Sequence, residues 1–233
     1  SSQIDMDRLD YLKRDSFFTG VTEGNIGTER IISMMDVVDD EIVIEEKGIY
    51  SIEKFLIARR LMYWQGYLHK TVLSVENTLI KILQRAKEII KDDHKLFSST
   101  SLKIFLNNNY SLNDLSTNNS LLETFSQLDD HDIYSSIKEW VNHSDFVLSN
   151  LCNRILNREP LNIIIQNIPF NENELSNIKQ KTKEFYNISK KEVDYLVFTN
   201  KVSNNTYHQM KSRINILMKD GEIKDITEAS DQF

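Results

Sequence analysis

Asp7, Tyr11 and Asp15 stand at i, i+4 and i+8 in a segment, Gln3 to Asp15, that packs four carboxylates, two guanidiniums, a Lys and a Tyr into thirteen residues. Helical spacing places all three on one face. With Ile4, Leu9 and Leu12 turned to a core, that face can offer acids and bases to a ligand. Further on, Arg59, Tyr63 and Tyr67 repeat the same spacing. A guanidinium fork suits a polyphosphate, and hydroxyls on flat rings suit a sugar. Spacing alone leaves plainer uses open. A charge run is more commonly a solvated helix laced by i,i+4 ion pairs, and the tyrosines fit an amphipathic helix that half-buries them.

The elements that must position these residues are read from periodicity and punctuation. A helix is expected over residues 3–18, then a loop marked by Gly20, Gly24 and Gly27, then a short helix from Glu29 to Met35 capped by Thr28. Glu41–Glu46 and Ile49-Tyr50 around Lys47-Gly48 read as a hairpin. Ser51 is the expected N-cap of a helical pattern running to about Asp93, with a bend near Gly66. Residues 98–120 fit two short helices, and Leu121–Leu128 and Ile133–Arg158 fit further ones. After Pro160, Leu161–Ile165 and Tyr195–Phe198 look like strands, Glu172–Tyr186 looks like a helix, and Arg213–Met218 and Glu222–Ile226 flank a Lys219-Asp220-Gly221 turn. The expected fold is mainly α, followed by a small α+β module.

Composition sets the outer bounds. The chain has 233 residues, 40% apolar and 27% charged, with 6 Gly and 2 Pro, which suits a soluble globular protein built of long, mostly helical elements. A net charge of −7 argues against generic affinity for nucleic acid or an anionic membrane. A single Cys152 excludes an internal disulfide and an all-cysteine zinc site, and fits a reducing compartment. Without a signal peptide or a run of 18 apolar residues, the expected location is the cytoplasm.

Three segments, in order, resemble one family. Ser2 through Asp15 resembles the last motif of HD-domain phosphohydrolases, in the deoxynucleoside triphosphate triphosphohydrolase-like branch of bacteria. Arg59 through Lys70, with Tyr63, Tyr67, His69 and Lys70, resembles that branch's following helix. Leu128–Tyr134 with Lys138-Glu139-Trp140 resembles a downstream segment. The resemblance implies roles. Asp7 matches the final Asp of a His … His-Asp … Asp set that holds a divalent metal (Mg, Mn or Fe). Arg8 matches a basic residue beside the phosphates, and Tyr11 and Asp15 match residues facing the nucleotide sugar. Arg59 matches a triphosphate-contacting Arg, Tyr63 a position near the phosphates, and Tyr67 a Tyr packing on the deoxyribose. Lys70 and Arg30 match basic residues of regulatory nucleotide sites between subunits. The implied ligand is a nucleoside triphosphate, a dNTP in this branch, and the implied assembly a homo-oligomer, dimer or tetramer.

One departure matters. The family's histidines precede its final Asp, whereas His69, His94, His131, His143 and His208 all follow Asp7. His131-Asp132 spells the dipeptide, but Asp129-Asp130-His131-Asp132 sits where helix caps and acidic first turns are expected. The chain is therefore expected to be a C-terminal fragment, inactive alone and without its own metal: residues 1–95 the end of the catalytic domain, 96–158 a helical extension, 159–233 the small α+β domain. The competing expectations are a non-catalytic nucleotide-sensing and oligomerisation module, or a helical domain with no site.

Overall fold

The computed structural model describes residues 4–91, 95–202 and 213–232. The chain forms two compact units: Ser1–His69 together with Lys201–Phe233, and Lys70–Asn200. The expected fold class holds. The molecule is mainly helical, with one small four-stranded sheet.

The first unit begins with α1 (Met6–Thr19), which starts where the Asp5 carboxylate accepts from the Arg8 amide at 2.8 Å and stops at Gly20, whose φ of 73° is left-handed. Leu9 and Leu12 give it a buried stripe. Gln3 lies outside the described residues. After α2 (Thr28–Ser33), strands β1 (Met35–Val38) and β2 (Glu41–Glu45) pair antiparallel. Their two-residue turn is Asp39-Asp40, with φ of 51° and 61°, the left-handed pair of a tight hairpin that Asp tolerates. The hairpin expected around Lys47-Gly48 is thus corrected: it lies one strand earlier. Ile49 instead opens α3 (Ile49–Met62), two residues ahead of the expected Ser51 cap.

Strand β3 (Asn215–Leu217) pairs parallel with β2, and β4 (Ile223–Asp225) pairs antiparallel with β3, giving the order β1-β2-β3-β4. The Lys219-Asp220-Gly221 turn is present, with Gly221 at φ 86°. A short α12 (Ile226–Ala229) follows, capped by Asp225. Ile214, Ile216 and Ile226 enter one core with Leu9, Leu12, Ile44, Ile52, Phe55 and Met62.

The long helical pattern breaks where a bend is expected. After Met62 the backbone widens into a π-helical turn, Tyr63–Tyr67, with the Leu68 amide donating to the Tyr63 carbonyl at 2.7 Å. Then α4 (Lys70–Lys91) opens the second unit. That unit continues through α5 (Thr100–Asn107), α6 (Leu112–Thr117), α7 (Asn119–Ser126), α8 (Asp130–Trp140), α9 (Phe146–Leu156), α10 (Glu172–Tyr186) and α11 (Lys190–Leu196). Ile82, Ala86, Ile137, Trp140, Leu148 and Cys152 share its core.

Two expected strands and one expected helix are corrected here. Leu161–Ile165 is irregular, and the Leu161 carbonyl accepts from the Ser74 hydroxyl at 2.6 Å rather than from a strand. Tyr195 and Leu196 close α11, because the capping box of Ser189 and Glu192 starts a helix there. The helix expected over 133–158 is two, since Asp145 caps α9 through the Leu148 amide at 2.9 Å.

Candidate functional site

The site is assembled within the first unit from α1, the end of α3 and the π-helical turn. Leu9 and Leu12 anchor α1 in the core, and the neighbouring face then carries Arg8, Tyr11 and Asp15, all half-buried. Ile52, Phe55 and Met62 anchor α3, which turns Arg59 toward that face. The π turn adds one residue to its loop of backbone and carries Tyr63 and Tyr67, also half-buried. Such turns concentrate at functional sites.

These side chains meet. The Tyr67 hydroxyl donates to Asp15 Oδ2 at 2.5 Å. The Tyr67 ring stands edge-on to Tyr63 with centroids 5.0 Å apart, and to Tyr11 at 6.2 Å. The Arg59 guanidinium lies 5.8 Å from the Tyr63 ring centre and hydrogen-bonds Tyr11. The Arg8 charge also acts on Tyr11. Burial raises the Tyr11 hydroxyl above its ordinary range against the opposing pull of Arg59. The Tyr67 hydroxyl is raised further, first by burial and then by donating to the Asp15 carboxylate. Both phenols are therefore neutral donors at physiological pH. The arrangement sets guanidiniums beside a carboxylate and three phenols, a surface able to bind an anion at one end and hydroxyl groups at the other.

Six residues singled out by spacing and resemblance, Arg8, Tyr11, Asp15, Arg59, Tyr63 and Tyr67, thus converge. Three do not join these contacts. Asp7 is exposed in the first turn of α1. Arg30 is exposed in the last turn of α2. Lys70 is the exposed first residue of α4, in the other unit. One further residue, outside the charged and aromatic motifs, sets the approach of these elements. Gly24 lies where a Cβ would stand 2.5 Å from Met62 Sδ and 3.0 Å from Ser16 Cβ, so its lack of a side chain lets the loop after α1 lie against α3. Its only signal was membership of the Gly20, Gly24, Gly27 series.

Asp129 accepts from the His131 and Asp132 amides at 2.8 and 3.3 Å, and the Asp132 carboxylate accepts from the Asp129 amide at 3.0 Å. This capping box starts α8, as expected of that segment. Hydrogen bonding from Ser99 and from the Asp129 amide holds the Asp132 carboxyl below its ordinary range. Among the described residues, no group of three or more His, Cys, Asp or Glu is placed to hold a metal ion. Asp7 with its described neighbours does not fit a divalent-metal site. His94, Tyr207 and His208 lie outside the described residues. No helix among the described residues is long and apolar enough to cross a membrane.

Comparison with known proteins follows the same lines. Residues 26–105 match a family model described as an HD associated region. An uncharacterized protein of Bacillus subtilis is 31% identical over 237 residues, covering 99% of this chain and 52% of that protein. A deoxynucleoside triphosphate triphosphohydrolase SAMHD1 homolog of Dictyostelium discoideum is 27% identical over 95 residues, 41% of this chain and 18% of that one. Among solved structures, a phosphohydrolase from Bacteroides thetaiotaomicron superposes with a TM-score of 0.88 at 48% identity, covering 100% of this chain and 58% of that one. A hypothetical protein from Aquifex aeolicus shares the fold, with a TM-score of 0.55 at 22% identity over 98% of this chain and 50% of that one. The chain spans about half the length of the Bacillus relative that it matches.

Proposed function

We propose, from the support these matches give to kinship with the HD-type phosphohydrolases, that the protein containing this chain hydrolyses a nucleoside triphosphate, specifically a dNTP, to deoxynucleoside and tripolyphosphate. Water adds to the α-phosphorus, the bond to the sugar O5′ breaks, and that oxygen leaves with a proton. Arg59 and Arg8 hold the triphosphate and spread its charge in the transition state. Tyr63, beside Arg59, lies against the phosphates. Asp15 and Tyr11 receive the sugar hydroxyl side of the ligand, and the Tyr67 ring packs on the deoxyribose. The observation that carries this reading is the convergence of Arg59, Tyr63 and Tyr67 on Tyr11 and Asp15, closed by the Tyr67–Asp15 hydrogen bond.

In this proposal Asp7 would be one ligand of a divalent metal, Mg, Mn or Fe, with the other ligands supplied by residues outside this chain, and the metal would lower the pKa of water and neutralise phosphate charge. The chain by itself is then inactive. Arg30 and Lys70 serve a regulatory nucleotide in a homo-oligomer in the cytoplasm.

The test is tripolyphosphate release from each dNTP by the full-length protein beside its Asp7→Ala variant. Lost turnover with retained assembly supports the reading. Unchanged turnover removes Asp7 from the reaction, and no turnover of any nucleoside triphosphate by the wild type ends the enzymatic reading.

A further inference from the structure

Within the first unit, residues 213–232 return to pack along β2 and α3, and three glutamates receive them in order. Glu41 accepts from Asn215 Nδ2 at 2.7 Å, Glu46 accepts from the Lys219 amide at 2.9 Å, and Glu53 accepts from the Ser230 hydroxyl. The pairs are 174, 173 and 177 residues apart. The order follows the parallel pairing of β2 with β3. The first two contacts are exposed, whereas Glu53 is 3% exposed, on the helix that carries Arg59.

A carboxylate out of water must be hydrogen-bonded, and one left without a donor is costly. Ser230 supplies a hydroxyl donor, and its own oxygen accepts from the Gln232 amide at 3.0 Å, which fixes the hydroxyl's direction. Ser230 in turn ends α12, anchored by the buried Ile226. If this donor is withdrawn, α3 must turn or shift to give Glu53 another one. Arg59 and Tyr63 move with the helix, while Asp15 and Tyr11 stay on α1.

We propose that Glu53 is a positioning residue, and that the Ser230–Glu53 hydrogen bond lets the return segment set where Arg59 and Tyr63 stand against α1. The reaction side of this inference rests on the proposed function; the positioning side does not.

The experiment compares wild type, Ser230→Ala and Glu53→Gln in the full-length protein, by dNTP kinetics and by hydrogen exchange of peptides covering residues 59–68. Ser230→Ala raises KM about tenfold with kcat close to wild type, and speeds exchange over 59–68 about fivefold. Glu53→Gln keeps an acceptor for the Ser230 hydroxyl and stays near wild type in both. Unchanged exchange over 59–68 in Ser230→Ala overturns the inference, as does an unchanged KM, or a Glu53→Gln variant as impaired as Ser230→Ala. If the wild type turns over no nucleoside triphosphate, the functional reading fails alone and the exchange comparison decides the positioning.

Discussion

Tyr67 donates its phenolic proton to Asp15 across 2.5 Å, joining the π-helical turn to α1 over 52 residues of sequence. This hydrogen bond ties the aromatic turn to the carboxylate of the opening helix. Tyr63 and Tyr11 both stand edge-on to the Tyr67 ring.

Tyr67→Phe keeps the ring and removes the bond. A charge-assisted hydrogen bond at a half-buried site is worth about 1–2 kcal/mol, and urea unfolding at neutral pH should lose that much. The sign with pH follows from the raised phenol. The Tyr67 contribution is complete below its ordinary value of 10.0 and is lost as pH rises from there toward the higher folded value. The stability gap between wild type and Tyr67→Phe should therefore narrow in alkaline buffer. A gap that stays constant above pH 10 would contradict the assigned proton.

Gly24→Ala should destabilise by about 1–3 kcal/mol through overpacking, because the new methyl would sit 2.5 Å from Met62 Sδ and 2.6 Å from Met62 Cγ. The backbone at Gly24 imposes no left-handed strain. The cost should accordingly be relieved in the double variant with Met62→Ala, measured as a coupling energy in a double-mutant cycle. Additive single costs would place the defect elsewhere.

Arg85 and Asp145 form the main ion pair of the second unit, with Nη2 to Oδ2 at 2.5 Å, Nε to Oδ1 at 3.1 Å and side chains 18% and 15% exposed. Burial pushes the Asp145 carboxyl up, but the Arg85 hydrogen bonds and the Leu148 amide outweigh it and hold it below the ordinary carboxylate range. Asp145→Ala also removes the cap of α9, so it should cost about 3–4 kcal/mol. With a depressed folded pKa, this stability is present above the ordinary carboxylate value and is lost as pH falls through the folded one. Acid titration of unfolding should show wild type converging on Asp145→Ala at low pH.

Cys152 is fully buried, and burial pushes its thiol up to about 12. The thiolate is the reactive form, so alkylation at neutral pH should proceed only through opening of the α4–α9 core. Its rate should rise in Asp145→Ala in step with the lost stability. Fast labelling in the native wild type would contradict the burial.

The site was legible because i, i+4, i+8 spacing survives local backbone irregularity. Arg59, Tyr63 and Tyr67 stay on one side even though the helix widens at Tyr63–Tyr67, and Tyr11 and Asp15 keep the matching face of α1. What the residues alone did not carry were long-range pairings. Nothing local in Glu41–Glu45 says that its partner is Asn215–Leu217, or that Asp39-Asp40 rather than Lys47-Gly48 makes the turn, since Asp reaches left-handed conformations only where the strands reward it. Leu161–Ile165 has strand composition, but β preference needs a neighbouring strand to be realised, and the Leu161 carbonyl meets a serine hydroxyl instead. The closeness of Gly24 to Met62 is likewise a packing fact, visible only once α1 and α3 are in place.

In the proposed function Arg59 and Asp15 contact one nucleoside triphosphate, the guanidinium at its phosphates and the carboxylate at its sugar. Isothermal titration of the four dNTPs into the full-length protein, its Arg59→Ala and its Asp15→Ala variants decides whether both residues bind the ligand. At least one dNTP is expected to bind the wild type, and each variant to bind it about tenfold or more weakly. Equal affinity in both variants and wild type, or no binding of any dNTP to a folded wild type, would contradict it.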